Sequence, residues 1–274
     1  MDAPYQPAPD VHVLPTTVAL PGVGVLPINA YVLLAEEPVL IDTGIAVDGE
    51  EFIEALSSVI EPAALRWLWL THDDADHTGS VQRVLELAPN ARLATHAFSA
   101  LRMATWWPVP LERVHAIRTG DQLHVGDRTL AAVRPPLYDN PQSTGIFDGA
   151  TGALFSVDSF GAMLPEATQD ISEIPHAALT GGMVGWATAD SPWAHVVDRQ
   201  QYSQVLEDVR RLQPSRIFSS HLPAATGTSM ERFLQVLEAV PDAEPFMSPD
   251  HEDFAHMVAA MAAMERAHQP EAAG

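Results

Sequence analysis

The chain has 274 residues, of which 47% are apolar, and its 36 acidic and 14 basic side chains leave a formal charge of −22. That balance argues against nucleic acid or an anionic membrane as the main partner. Cysteine is absent, which excludes disulfides, thiolate metal sites, iron–sulfur clusters and a cysteine nucleophile. No apolar run approaches the roughly 18 residues of a membrane span. Met1 to Tyr5 has neither the basic start nor the apolar core of a secretion signal, so a cytoplasmic location is expected.

Taken in order, residues 11–43 alternate β-rich runs with turn residues, and Tyr31–Leu34 and Val39–Ile41 read as strands joined by a Glu36-Glu37-Pro38 turn. Asp42 closes the second of them. Glu50–Ile60 reads as a helix with Ile53, Leu56 and Ile60 inward. Leu65–Leu70 is a buried strand, and Val81, Val84 and Leu85 mark one face of the helix that follows the next turn. Further strands are expected at Ala91–Thr95, Gln122–Val125, Thr129–Val133, Ala153–Val157 and Arg216–Ser219. Residues 161–198 are rich in Gly, Pro and Ala with weak periodicity and read as a long irregular connection with room for one short helix. Helices follow around Tyr202–Val209, after a Thr228/Glu231 capping box, and from Ser248 to His268. The last carries an apolar Phe254, Val258, Met261 stripe expected to pack on its own domain or a second subunit. Strands in two batches, each followed by helices, suggest two sheets face to face with helices outside. The expected division is a main domain at 1–245 and a helix and tail at 246–274.

The turn between the strand ending at Leu70 and its helix reads Thr71-His72-Asp73-Asp74-Ala75-Asp76-His77-Thr78-Gly79. Two imidazoles and three carboxylates in six positions are costly to hold together unless a cation balances them, and a metal site is the simplest reading. Asp139, Asp158 and His221 lie on a loop or at strand ends and are further candidates. His96, ending a strand, and the Trp106-Trp107 pair are weaker ones, read first as structural. His251 and His256 are five apart on a helix and fall on different faces. No Gly-x-Gly-x-x-Gly or Walker loop supports a nucleotide cofactor.

This arrangement resembles the metallo-β-lactamase superfamily, which implies a mixed α/β, four-layer αββα sandwich. Hydrolases of that superfamily read His-x-His-x-Asp-His, whereas this chain reads His72-x-Asp74-x-Asp76-His77. The carboxylate at the third position resembles the β-lactamase-like domain of flavodiiron proteins, the oxygen-binding diiron family, with its His-x-Glu-x-Asp-His. Leu154 to Gly161, holding Asp158, and Ser219-Ser220-His221 resemble two further segments of that family. The resemblance implies that His72, Asp74 and Asp158 bind one metal while Asp76, His77, Asp158 and His221 bind a second. The family completes the first metal with a His in a His-Trp-Pro-Asp-Ser context. Here Asp139-Asn140-Pro141-Gln142-Ser143 stands in its place, with Tyr138 the second candidate. Asp42 is implied to buttress the ligand loop.

Two metal ions are therefore expected, with iron favoured by the oxygen-rich shell and manganese or zinc as alternatives. Flavodiiron proteins carry an FMN-binding flavodoxin domain after this one, and none is read here. The expected activity is a stand-alone oxidoreductase that binds or reduces dioxygen, nitric oxide or peroxide, fed by a separate electron donor. A homodimer is a possible assembly. A metal-dependent hydrolase of an ester, lactone or phosphodiester and a non-enzymatic oxygen or redox sensor are the alternatives.

Overall fold

A computed structural model describes residues 1–226 and 229–268. Its first sheet runs, in spatial order, β1 (Tyr5–Ala8), β2 (Val11–Leu20), β3 (Gly24–Leu33), β4 (Val39–Ile41), β5 (Trp67–Trp69), β6 (Arg92–Thr95) and β7 (Val114–Ala116). β1 to β4 pair antiparallel and β4 to β7 parallel. The second sheet contains β8 (Gln122–His124), β9 (Thr129–Val133), β10 (Gly145–Asp148), β11 (Ala153–Val157), β12 (Arg216–Ser219) and β13 (Ala225–Thr226), in the order 13-12-11-10-9-8. Within it only β11 and β12 are parallel.

Side-chain alternation sorts these strands into three cores. Tyr31, Leu33, Val39, Ile41, Trp67 and Trp69 meet Phe155, Ile146 and Phe218 between the sheets. The intervening Ala30, Val32, Leu40 and Leu68 point the other way, as the two-residue period of a strand requires. There they meet α1 (Gly49–Val59) and α3 (Val81–Leu87), with Met103 of α4 (Ala97–Met103) completing the layer. Between these helices lies the one-turn α2 (Ala75–Thr78). On the far side Leu154 and Ile217 pack against α5 (His176–Asp190), α6 (Arg199–Leu212) and α7 (Ser229–Ala239). The result is the four-layer αββα sandwich. Because both faces of the central strands are covered, their sequences read as unbroken apolar runs.

Several local readings change. Residues 11–33 form two long strands, which extend the expected Tyr31–Leu34 backwards to Gly24. α1 buries Phe52 and Leu56, while Ile53 and Ile60 are half-buried. Residues 161–198 contain the fifteen-residue α5, where the sequence alone allows only a short helix. Gly182 is tolerated in the helix because it lines a seam: a Cβ there would lie 2.1 Å from the Met163 carbonyl oxygen. The last helix, α8, spans His251–His268. Its Phe254, Val258 and Met261 are exposed, so that stripe does not pack on its own domain; residues 244–250, which lead into the helix, are exposed as well. Thr228 lies outside the described residues. No helix among the described residues is long and apolar enough to cross a membrane.

The seam makes opposite forecasts for adjacent glycines. Gly182→Ala should lower unfolding free energy by about 1–3 kcal/mol through overpacking. Gly181, with nothing within 4 Å of a built Cβ, should gain about 0.4–1 kcal/mol on the same change. Urea denaturation of both variants decides, and stabilisation by both would refute the seam.

Candidate metal centre

The ends of β4, β5, β11 and β12 meet at one rim of the sandwich, and each delivers a polar side chain there. Asp42 follows β4 with φ of 60°, a left-handed conformation that aspartate tolerates better than most residues. Its carboxylate accepts from the Thr71 backbone N–H (2.8 Å) and from the Thr71 hydroxyl (2.9 Å), and pairs with His77 Nδ1 at 2.9 Å. The turn after β5 can fold back so tightly because residue 79 is glycine. A Cβ there would stand 2.2 Å from the Ile45 carbonyl carbon. On the second sheet, β11 and β12 slip register after Phe155, and Val157 adopts φ of 57°. This bulge turns Asp158 into the space between the sheets.

The imidazoles all present the same atom to that space. His221 Nδ1 lies 2.9 Å from the Pro27 carbonyl oxygen; a carbonyl can only accept, so Nδ1 carries the proton and donates. His77 Nδ1 is held by Asp42, and His72 Nδ1 is 3.2 Å from the Thr71 hydroxyl, which is itself committed to Asp42. In their neutral forms all three therefore aim an Nε2 lone pair inward, the orientation a metal ligand needs.

Carboxylates face those lone pairs. His72 Nε2 lies 3.7 Å from Asp74 Oδ2, 3.9 Å from Asp139 Oδ1 and 3.7 Å from Asp158 Oδ2. His77 Nε2 is 3.5 Å from Asp76 and 3.1 Å from Asp158 Oδ1, and His221 Nε2 is 3.4 Å from Asp76 and 3.1 Å from Asp158 Oδ1. Two buried atoms, His77 Nε2 and Asp158 Oδ2, have no hydrogen-bond partner. Lone pair facing lone pair is repulsive unless a proton or cation lies between, and separations of 3.5–3.9 Å suit a shared ion better than a hydrogen bond. Three groupings could hold an ion, each with ligand atoms within 4.8 Å of one another: His72, His77 and Asp158; Asp76, His77 and His221; and His72, Asp74 and Asp139. The residues present fit a metal centre.

All seven residues singled out in the sequence converge here, and a further one joins them. Asp190, at the end of α5, forms a fourth such grouping with Asp139 and Asp158. Its only signal in the sequence is the Asp-Ser-Pro that stops a helix. Tyr138 stays outside: its ring packs against Trp193 at 5.0 Å between centroids, with the Arg134 guanidinium over it. Asp73 also turns away, held by Arg102 at 2.6 Å and by the Ser99 hydroxyl at 2.8 Å. His96 caps α4, and the exposed Trp106 lines a cavity of about 840 Å³ with Asp73, Thr78 and Arg83.

The charges are poised to change with ligation. Burial opposes charge on His77 and His221, but Asp76, Asp42 and Asp158 around the first and Asp158 and Asp76 around the second raise both pKa values. Burial and the neighbouring His77 lower His72. Burial also works against the Asp158 charge, yet His72, His77 and His221 together hold it well below the usual carboxylate range. Asp139 goes the other way: burial and repulsion from Asp158 and Asp190 push it up to about 8. Burial and Asp158 raise Asp190 to about 7.

Fold and site together define a metallo-β-lactamase-type centre on a four-layer sandwich. The chain belongs to the ODP family beta lactamases, whose profile matches residues 26–222, more than half its length. Among solved structures it resembles rubredoxin oxygen:oxidoreductase from Desulfovibrio gigas, with a TM-score of 0.77 at 20% identity over 88% of this chain and 62% of that one. The flavodiiron protein from Giardia intestinalis gives 0.77 at 17% identity, over 88% and 60%. In sequence, the nitric oxide reductase of Moorella thermoacetica is 27% identical over 135 residues, which are 48% of this chain and 33% of that protein. A diflavin flavoprotein from Synechocystis is 27% identical over 134 residues, 48% and 23% respectively. The chain spans about a third or less of the curated relatives it matches.

A ligand set that holds protons must release them to bind metal. Asp139, His77 and His221, with Asp190 beside them, carry raised values, so apparent metal affinity should climb from about pH 6 to about pH 8. Titration calorimetry in buffers of different ionisation enthalpy should show net proton release. The metal-free protein should respond oppositely. A raised folded pKa gives stability that is complete below the unfolded value and lost as pH rises through the folded one. For Asp139 and Asp190 that window runs from the ordinary 3.8 to about 8 and about 7. His77 and His221 add to the loss, while His72, shifted down, opposes it. Thermal melts of chelated protein should therefore fall across this range, and flat melts with no proton release would contradict the charge pattern.

Proposed function

We propose that this chain holds a dinuclear iron centre that binds or reduces dioxygen, nitric oxide or peroxide, with electrons from a separate donor. His72, Asp74, Asp139 and Asp158 hold the first ion and Asp76, His77, Asp158 and His221 the second, with Asp158 shared. Membership of the ODP family supports the reading, as do structural neighbours described as an oxygen oxidoreductase and a flavodiiron protein.

The observation that carries it is Asp74. Its Oδ1 accepts from Asn140 Nδ2 at 2.9 Å and lies 3.5 Å from an Arg102 amino nitrogen, which leaves Oδ2 toward His72. A carboxylate at this position makes the shell richer in hard oxygen donors, which suits iron or manganese better than an imidazole would. When bound, an iron pair supplies the redox chemistry. The protein's own part is orientation. Asp42 fixes His77, and Trp186 packs on the His221 ring at 4.4 Å between centroids while its Nε1–H donates to the Asp158 carbonyl.

Protein prepared anaerobically should contain two iron ions per chain and, with a reduced artificial donor, consume dioxygen or nitric oxide. Zinc in their place, with turnover of a generic ester, would overturn the reading in favour of a hydrolase. Asp139→His removes one anionic ligand and should raise the reduction potential. An unchanged potential in a spectroelectrochemical titration would remove Asp139 from the ligand set.

A further inference from the structure

Asp158 divides its two oxygens. Oδ1 stands 3.1 Å from both His77 Nε2 and His221 Nε2, while Oδ2, buried and without a hydrogen-bond partner, stands 3.7 Å from His72 Nε2. The unpartnered oxygen thus faces the half of the site that holds Asp74 and Asp139. Asp190 arrives at that same half from the opposite helix layer. Oxygens of Asp139, Asp158 and Asp190 lie within 4.8 Å of one another. Trp186 and Asp190 are four residues apart and share a face of α5; the Trp186 bond to the Asp158 carbonyl and the Gly182 contact with Met163 fix how that face meets the site.

The Ser191 hydroxyl donates to Asp190 Oδ2 at 2.9 Å, and among the described residues no arginine forms an ion pair with Asp139 or Asp190. Asp73, between His72 and Asp74 in sequence, is the contrast: it turns from the site and is held by Arg102 at 2.6 Å and by Ser99.

We propose that Asp190 is a further ligand to the first metal ion. This inference rests on the dinuclear reading above. It gives the first position four carboxylates (Asp74, Asp139, Asp158, Asp190) and one imidazole (His72). The second keeps two carboxylates and two imidazoles. The two positions then differ in hardness: the first accepts manganese and the higher oxidation state of iron readily, and the second suits ions that prefer nitrogen. Five carboxylates against two divalent ions leave one negative charge in excess, which also favours oxidation.

The test is metal binding by the full-length chain, stripped with a chelator and titrated anaerobically with Mn²⁺, read by elemental analysis after desalting and by electron paramagnetic resonance. The wild type should bind two ions that give a spin-coupled spectrum. Asp190→Asn keeps the size of the side chain and an acceptor for Ser191. It should weaken one site about 10- to 100-fold, leave the other within about twofold, and replace the coupled spectrum with that of an isolated ion. Asp190→Ser repeats the measurement if the asparagine variant does not fold, and the metal-free melting temperature reports folding in each. Two unchanged sites in a folded variant overturn the assignment of Asp190, as does equal weakening of both. A wild type that binds only one ion overturns the dinuclear reading itself.

Discussion

Mutual repulsion among carboxylates at the rim of the sandwich is the constraint from which the rest follows. Two unit charges 4.8 Å apart, the spacing that bounds each grouping, repel by about 3 kcal/mol at an effective dielectric constant near 20. Three such pairs approach the whole stability of an ordinary domain, about 5–15 kcal/mol. The imidazoles offset part of this, since they surround Asp158. They cannot offset all of it, because His72, the imidazole 3.9 Å from Asp139, is itself held toward its neutral form by burial and His77, and that side carries the raised carboxyl groups. Protons or cations must supply the remainder. The two compete, and this links metal binding to pH.

The scaffold answers with rigidity. Among the described residues four non-glycine positions have positive φ, and three of them, Asp42, Val157 and Phe160, flank the site. Each such conformation costs on the order of 1–3 kcal/mol and persists because its surroundings hold it. For Val157 the restraint is a carbonyl that accepts from the Ser219 hydroxyl and the Ser220 N–H. Strain here sets the angle at which Asp158 leaves its strand, and Asp158 is the residue that both halves of the site share.

Much of this was legible in the chain. Apolar runs at Leu65–Leu70 and Ala153–Val157 end in polar residues, and strand ends at one rim are where ligands gather. The cluster His72–His77 is dense enough to read without its neighbours. The long α5 was hidden because its small residues break the amphipathic period on which helix reading depends. Those residues serve a seam whose partner, Met163, lies at no fixed sequence distance. Asp190 disappeared with the helix. A lone acid among Ala, Thr and Ser has no local signature, and only the packing of two layers brings it to Asp139. The burial of Asp73 away from the site was equally invisible, since it depends on Arg102 from the next helix.

The glycine seam has a mechanical consequence. Gly182 and Asp190 are eight residues apart on one helix, about 12 Å at 1.5 Å per residue. The seam acts as the fulcrum and the carboxylate as the tip of a stiff rod. A small tilt at the contact with Met163 is carried along the rod to the rim. Residues far from the acidic rim can thereby set its shape, and drift in the helix layer becomes a route for adjusting it while the strand-borne side chains stay fixed.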